Sequence, residues 1–163
     1  MNRPIKLIII ILICLFAFWK MVTFLAPGSY PFAEIYEIHA PEKEVIDAIE
    51  EFKIQNPHFV VPPVTMDGQT NVDLKSSEGR DSNSYWYFNY FYYQDKNQIL
   101  FTWTRPIDQK STEFAFVGVN DGLELGNWKD VNDDFWFFEN RRVKKEFKER
   151  IIDQVKDIIK TKK

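Results

Sequence analysis

The residues that could do chemistry are few, and the most suggestive of them form an acidic run. Residues 130–134 read Asp-Val-Asn-Asp-Asp, and oxygen ligands at alternate positions are typical of the start of a calcium-binding loop. The rest of that pattern is missing, because Phe135 stands where the loop needs a glycine and Arg141 where it needs a bidentate glutamate. We therefore expect the run to cap the region before a helix.

Metal and phosphate chemistry have little support elsewhere. His39 and His58 flank a predicted helix and could meet in space, but the sequence indicates no third ligand, and a catalytic zinc needs three. Gly118, Gly122 and Gly126 are evenly spaced but lack the Lys-Ser/Thr pair of a phosphate-binding loop. We predict no metal site and no cofactor.

Candidate nucleophiles are equally poorly supported. Ser82, Ser84 and Ser111 lack the flanking glycines of a nucleophile elbow, and the only cysteine, Cys14, lies in an apolar N-terminal run. Acid pairs among the 24 carboxylates leave room for an enzyme, but no feature favours one. We therefore predict a protein without catalytic residues.

The best candidate for a binding surface is an aromatic strand. Residues 85–93 read YWYFNYFYY, and neighbouring side chains of a strand point to opposite faces of the sheet. Helices can cover only one of these faces, so the other would present large rings to a partner, unless both faces are covered. The predicted surface comprises four rings of this strand and one of the next: Trp86, Phe88, Tyr90, Tyr92 and Trp103.

Charge is distributed unevenly, although the whole chain carries only −3. Residues 139–163 hold ten Lys or Arg against five Asp or Glu, whereas residues 26–138 hold eight against nineteen. The simpler interpretation is a solvated helix face beside an acidic body, and the alternative is a second contact region at Arg141, Lys145 and Lys148. An acidic body argues against a nucleic-acid partner.

The N-terminus predicts a membrane anchor. Ile5–Leu25 is almost entirely apolar and about 20 residues long, which is enough to cross a bilayer as a helix. Arg3 and Lys6 precede its unbroken apolar part, Leu7–Trp19, so the N-terminus is expected in the cytoplasm and the rest of the chain in the periplasm or outside the cell. The alternatives are a cleaved signal peptide and a lipoprotein with its lipid on Cys14.

Periodicity predicts one exported α+β domain at residues 32–163, joined to the anchor at 1–25 by a proline- and glycine-containing linker at 26–31. The element order is β-α-β-β-β-α, with a mainly antiparallel sheet and its helices on one face. The predicted strands are 32–39, 85–93, 98–105 and 112–119, and the predicted helices are 41–55 and 139–160.

Two connecting segments have no clear periodicity. Within residues 57–83 we predict a short strand at Phe59–Val61, followed by a long loop that could serve as a binding edge. In the second segment, before the last helix, we expect four apolar residues to anchor the chain into the body: Trp128, Val131, Phe135 and Trp136.

Together these features predict a membrane-anchored, non-catalytic interaction or accessory subunit of a bacterial envelope complex, with a protein partner. A module that binds a small apolar or glycan-like ligand is one alternative. An immunity-type inhibitor of an exported toxin, acting through its acidic body, is another.

Overall fold

The computed structural model describes residues 11–16, 30–80 and 84–162. The chain divides into two compact units, Met1–Pro31 and Phe32–Lys163. In the first unit, residues 11–16 are helical and Cys14 is exposed, while the rest of the predicted anchor lies outside the described residues. Within the described part of the chain, no helix is long and apolar enough to cross a membrane.

The second unit is built on a five-stranded antiparallel sheet. Its strands are β1 (Glu34–Ile38), β4 (Tyr87–Tyr93), β5 (Gln98–Pro106), β6 (Thr112–Asp121) and β7 (Trp128–Asp130). The order is β1-β6-β5-β4, and β6 also pairs with β7, so β1 and β7 share one edge of β6. The predicted α+β class with an antiparallel sheet is confirmed, and β7 is an addition too short for its period to be recognised.

Helix α1 (Glu42–Gln55) follows β1 and is amphipathic. Its first turn carries Glu42 and Glu44, which complement the positive end of the helix dipole. The helix ends at Asn56 because a residue before proline avoids the helical region. One buried stripe faces the sheet and consists of Val45, Ala48, Ile49 and Phe52.

The C-terminal helix is interrupted by a π turn. Helix α2 (Phe137–Phe147) passes through the π turn Lys148–Ile152 into helix α3 (Asp153–Thr161). The turn adds one residue to the helical repeat and so shifts the buried face after it. The buried positions are Phe147, Ile151, Ile152, Val155 and Ile159, whereas Ile158 is only half-buried.

The helices lie on one face of the sheet, as the sequence predicts. The main core joins α1 and the C-terminal helix to side chains of β4, β5 and β6 that share this face. Aromatic rings fill it, and Phe116 stacks on Phe147 with ring centroids 4.2 Å apart.

The opposite face is partly covered by the segment between α1 and β4. This segment contains a hairpin of β2 (Val64–Met66) and β3 (Gln69–Val72), followed by a short 3-10 turn at Leu74–Ser77. Val64 and Leu74 form a second small core with Ile99 of β5. The predicted strand at Phe59–Val61 is wrong, because Pro57 starts a 3-10 turn there.

Candidate functional site

A cleft of about 520 Å³ opens between α1, the edge of β4 and the segment 57–78. Its apolar lining comes from Ile49 of α1, Val61 and Leu74, and its polar lining includes Lys53, Glu78 and Asn89. A volume in this range is typical of sites for small molecules. One wall of the cleft is the segment for which the sequence predicts a long loop that could serve as a binding edge.

Local geometry explains why these side chains converge. Ile49 and Lys53 are one turn apart, so they share the face of α1 that lines the cleft. On the other side, the backbone of Gly79 exchanges two hydrogen bonds with Phe88, of 2.9 and 2.7 Å. This bridge holds the segment that carries Leu74 and Glu78 against the edge of β4.

An ion pair between Lys53 and Glu78 spans the cleft wall. Their side chains are only 13% and 19% exposed, and Glu78 Oε1 also accepts a hydrogen bond of 3.0 Å from the backbone N–H of Tyr90. Burial lowers the pKa of Lys53, and the carboxylate of Glu78 opposes this shift. The pair thus ties α1, the covering segment and β4 together.

Asn89 is the unusual residue of the cleft. It is 4% exposed, and its side-chain nitrogen Nδ2 has no hydrogen-bond partner among the described residues. Its backbone oxygen accepts a hydrogen bond of 2.9 Å from Thr102 Oγ1, so the main chain is satisfied while the side-chain amide is not. An unpaired buried N–H group costs about 1–3 kcal/mol, so its presence in a cleft wall needs a reason.

The polar part of the lining combines balanced charges with a neutral phenol. Two acids, Glu50 and Glu78, balance two lysines, Lys53 and Lys75, within the lining. Burial raises the pKa of Tyr87, which keeps its hydroxyl neutral. The cleft therefore offers apolar surface, balanced charge and an unused hydrogen-bond donor.

The rings predicted as an interaction surface lie outside this cleft. Trp86, Phe88, Tyr90 and Tyr92 are half-exposed on the sheet face away from the helices, whereas Trp103 is only 3% exposed. Tyr90 stacks on Phe101 of β5 with ring centroids 5.3 Å apart. These rings therefore form a packed cluster on the covered side of the sheet.

The basic residues predicted as a second contact region are all exposed on the C-terminal helix. Lys145 lies 3.7 Å from Glu149, and Lys148 lies 2.8 Å from Asp153, so both have acidic neighbours within the helix.

An aromatic cluster next to this region was missed. Trp136, Phe137 and Phe138 are 71%, 68% and 64% exposed, and their rings pack only 5.0 to 5.3 Å apart between centroids. The expectation that Trp136 anchors the chain into the body is wrong, although Val131 is buried and Phe135 packs on the core. The run of four aromatics at 135–138 was the available signal.

The remaining chemical candidates are dispersed. His39 and His58 lie before and after α1, at opposite ends of a 14-residue helix, so they do not form a common site. In the described ranges, no group of three or more His, Cys, Asp or Glu residues could hold a metal ion. In the acidic run, Asp134 Oδ2 accepts a 2.7 Å hydrogen bond from the backbone N–H of Asp130.

Comparison with known proteins finds no match to a protein family, to a curated protein or to a solved structure.

Proposed function

We propose that this protein is a membrane-anchored, non-catalytic binding protein whose cleft holds a small ligand. The anchor proposal rests on the apolar run Ile5–Leu25 and on Arg3 and Lys6 at its N-terminal end, which favour a single pass with the domain in the periplasm or outside the cell. The observation that carries the binding proposal is the buried, unpaired Nδ2 of Asn89 in the wall of a cleft of about 520 Å³.

The lining indicates the chemistry of the ligand. Balanced acids and lysines give no preference for a charged molecule, so we propose a neutral ligand. Its apolar part would lie against Ile49, Val61 and Leu74, and a carbonyl or hydroxyl oxygen would accept a hydrogen bond from Asn89. Acetamido sugars and lipid-like amides both have this combination of groups.

From the sequence alone, the main prediction is an accessory subunit of an envelope complex, and the ligand-binding module and an inhibitor of an exported toxin are its alternatives. A protein partner could reach Asn89 only with one protruding side chain, because the cleft is the size of a small molecule. The cleft therefore favours the small ligand among the three.

The test is native mass spectrometry of the full chain, purified in mild detergent from the membranes in which it is made. We expect the wild-type protein to carry a small-molecule mass, and Asn89→Leu to lose it. Because the variant also removes the unpaired donor, it should be more stable than the unliganded wild type by about 1 kcal/mol. Asn127→Leu, at an exposed position outside the cleft, is the matched control and should change neither property.

Three results would contradict the proposal. The first is a wild-type protein without an adduct, and the second is an adduct that Asn89→Leu retains. The third is a near-stoichiometric protein in place of a small molecule, which would favour the accessory subunit.

A further inference from the structure

Three consecutive aromatic side chains lie exposed at the start of α2. Trp136 precedes the helix, Phe137 and Phe138 form its first two positions, and each ring is more than three-fifths exposed. They pack on one another, so they form one contiguous apolar surface, here called the aromatic triplet. Exposed patches of this kind are typical of contact sites.

Hydrogen bonds connect this aromatic triplet to the point where the chain enters the domain. The side chain of Asn132 donates to the backbone oxygen of Phe32 at 3.0 Å and accepts from Asn140 Nδ2 at 2.9 Å. The backbone N–H of Asn140 in turn donates to the carbonyl of Trp136 at 2.8 Å. The triplet is thus fixed close to Phe32, whose own ring is 40% exposed.

The sequence limits how far Phe32 can be from the predicted anchor. Only residues 26–31 separate Phe32 from the end of the apolar run at Leu25. The seven Cα–Cα steps from Leu25 to Phe32 span at most about 25 Å when fully extended. If the run crosses a bilayer, Phe32 can be no farther than this from the end of the run, which leaves the aromatic triplet within reach of the membrane surface.

We infer that the aromatic triplet is a membrane-docking site that inserts into the lipid headgroup layer beside the anchor. This inference rests on the membrane anchoring proposed above, but not on the ligand of the cleft. Tryptophan and phenylalanine are well suited to this layer, because their rings are apolar and the indole N–H can bond to water or headgroups.

The charges around the aromatic triplet indicate how docking works. Asp133 and Asp134 precede the triplet in the sequence, whereas Glu139, Arg141 and Arg142 follow it, with Glu139 3.9 Å from Arg142. This mixture gives no strong attraction to anionic lipids, so the rings must supply the binding. We therefore expect docking on uncharged phosphatidylcholine, with little dependence on salt.

The experiment places a spin label within the triplet of the full chain. Cys14→Ala removes the only cysteine, Phe137→Cys takes a nitroxide, and the protein is put into phosphatidylcholine nanodiscs at one chain per disc. We expect the label to collide more often with oxygen than with a water-soluble nickel reagent. A label at Lys110→Cys, an exposed position in the β5–β6 loop, should show the reverse.

Second-site variants test whether the neighbouring rings hold the label there. Trp136→Ser with Phe138→Ser should return the label at position 137 to water, whereas Ile107→Ser, at another exposed apolar position, should leave it in lipid. All these positions are exposed, so the fold should survive and circular dichroism should be unchanged.

The outcomes separate this inference from the one on which it rests. A chain that does not float with phosphatidylcholine vesicles contradicts the anchoring itself. A chain that floats while its label at position 137 is as accessible to nickel as the label at position 110 overturns docking alone. A label at position 137 that collides rarely with both oxygen and nickel in the nanodisc would show burial against protein and would also overturn it.

Discussion

At the scale of single residues, Tyr93 shows how an aromatic core accommodates a polar atom. The side chain is 3% exposed, and its hydroxyl has no hydrogen-bond partner among the described residues. Arg150 lies over the ring, 4.0 Å from its centroid, and holds Asp95 through two hydrogen bonds of 3.0 and 2.9 Å. The ring is therefore well bound, and only its oxygen is unsatisfied.

Replacing Tyr93 with Phe should stabilise the protein. The substitution keeps the ring and its contact with Arg150 but removes the buried hydroxyl, so we expect a gain of about 1 kcal/mol in the free energy of unfolding at pH 7. Urea denaturation measures it. Tyr92→Phe, whose hydroxyl donates to Asn97 at 2.9 Å, is the control and should lose stability or leave it unchanged.

The stabilities of Tyr93→Phe and the wild type should differ more at alkaline pH. Burial raises the pKa of Tyr93 above its ordinary value of 10.0, so the hydroxyl stays neutral in the folded protein at a pH at which it ionises in the unfolded chain. The stability of the wild type therefore falls as the pH rises above 10, because ionisation then favours the unfolded chain, whereas Tyr93→Phe lacks this loss. The difference in free energy of unfolding between Tyr93→Phe and the wild type should therefore increase above pH 10. A difference that does not change with pH would contradict this prediction.

At the scale of elements, the edge shared by β1 and β7 depends on one glycine. Val117 of β6 is a bulge, since Phe101 and Thr102 pair with Gly118 and Phe116. Immediately after it, β7 approaches so closely that a Cβ on Gly118 would lie 2.9 Å from the carbonyl oxygen of Lys129. The absence of a side chain is thus what lets β7 pair there.

Gly118→Ala should loosen β7 without disturbing β1. We expect a loss of about 1–3 kcal/mol in stability, the usual cost of overpacking. Amide hydrogen exchange should accelerate at Val131, whose N–H bonds to Val117 at 2.9 Å, while the amides that pair β1 with β6 keep their protection. Ala115→Gly, a substitution on the same strand where it pairs with β1, is the comparison. If Gly118→Ala accelerated exchange in β1 as much as in β7, the local role of Gly118 would be contradicted.

Long elements with a clear period could be predicted from the sequence. The helix at 41–55, the strand pairs of the meander and the C-terminal helix all show the expected spacing, and the structure contains them. The β2–β3 hairpin was missed because its strands have three and four residues, although Asp67-Gly68 supplies the left-handed backbone that such a turn needs. The π turn could not be predicted, because a search for a regular helical period does not reveal one inserted residue.

The cleft could not be predicted, although its key residue was visible. Asn89 is the only non-aromatic residue in the run 85–93, which is a signal that something other than packing selects it. Strand alternation assigns Asn89 to a face, but the cleft also needs Lys53 and Glu78, which come from distant segments. Their convergence depends on tertiary packing that no local pattern encodes.

At the scale of the whole molecule, the uneven charge of the sequence becomes a set of contacts between the C-terminal helix and the body. Lys144 pairs with Glu34 at 3.1 Å, Arg150 with Asp95 at 2.9 Å, and Lys162 with Glu51 at 2.5 Å. This arrangement supports the simpler interpretation of the basic tail, a helix packed beside an acidic body.

Two sets of three substitutions, each of which removes three positive charges, test this view. Lys144→Ala, Arg150→Ala and Lys162→Ala together should cost about 3 kcal/mol, since partly exposed pairs contribute up to about 1 kcal/mol each and Arg150 also loses its ring contact. The set Arg141→Ala, Lys145→Ala and Lys148→Ala should cost about 0.5 kcal/mol, because all three side chains are exposed and the acids paired with Lys145 and Lys148 belong to the same helix. Denaturation at equal ionic strength compares them, and equal losses would show that net charge alone matters.

The position of β1 in the sheet has a consequence for how the chain folds as it is made. β1 ends at Ile38, but its partner β6 begins only at Thr112. At synthesis rates of about 5–20 residues per second, β1 emerges several seconds before any strand can pair with it. The meander from β4 to β6 can form from neighbouring segments, so we expect it to nucleate folding and β1 to join last. Glu34 and Glu37, in the waiting strand, give it the charge that keeps an unpaired strand from aggregating.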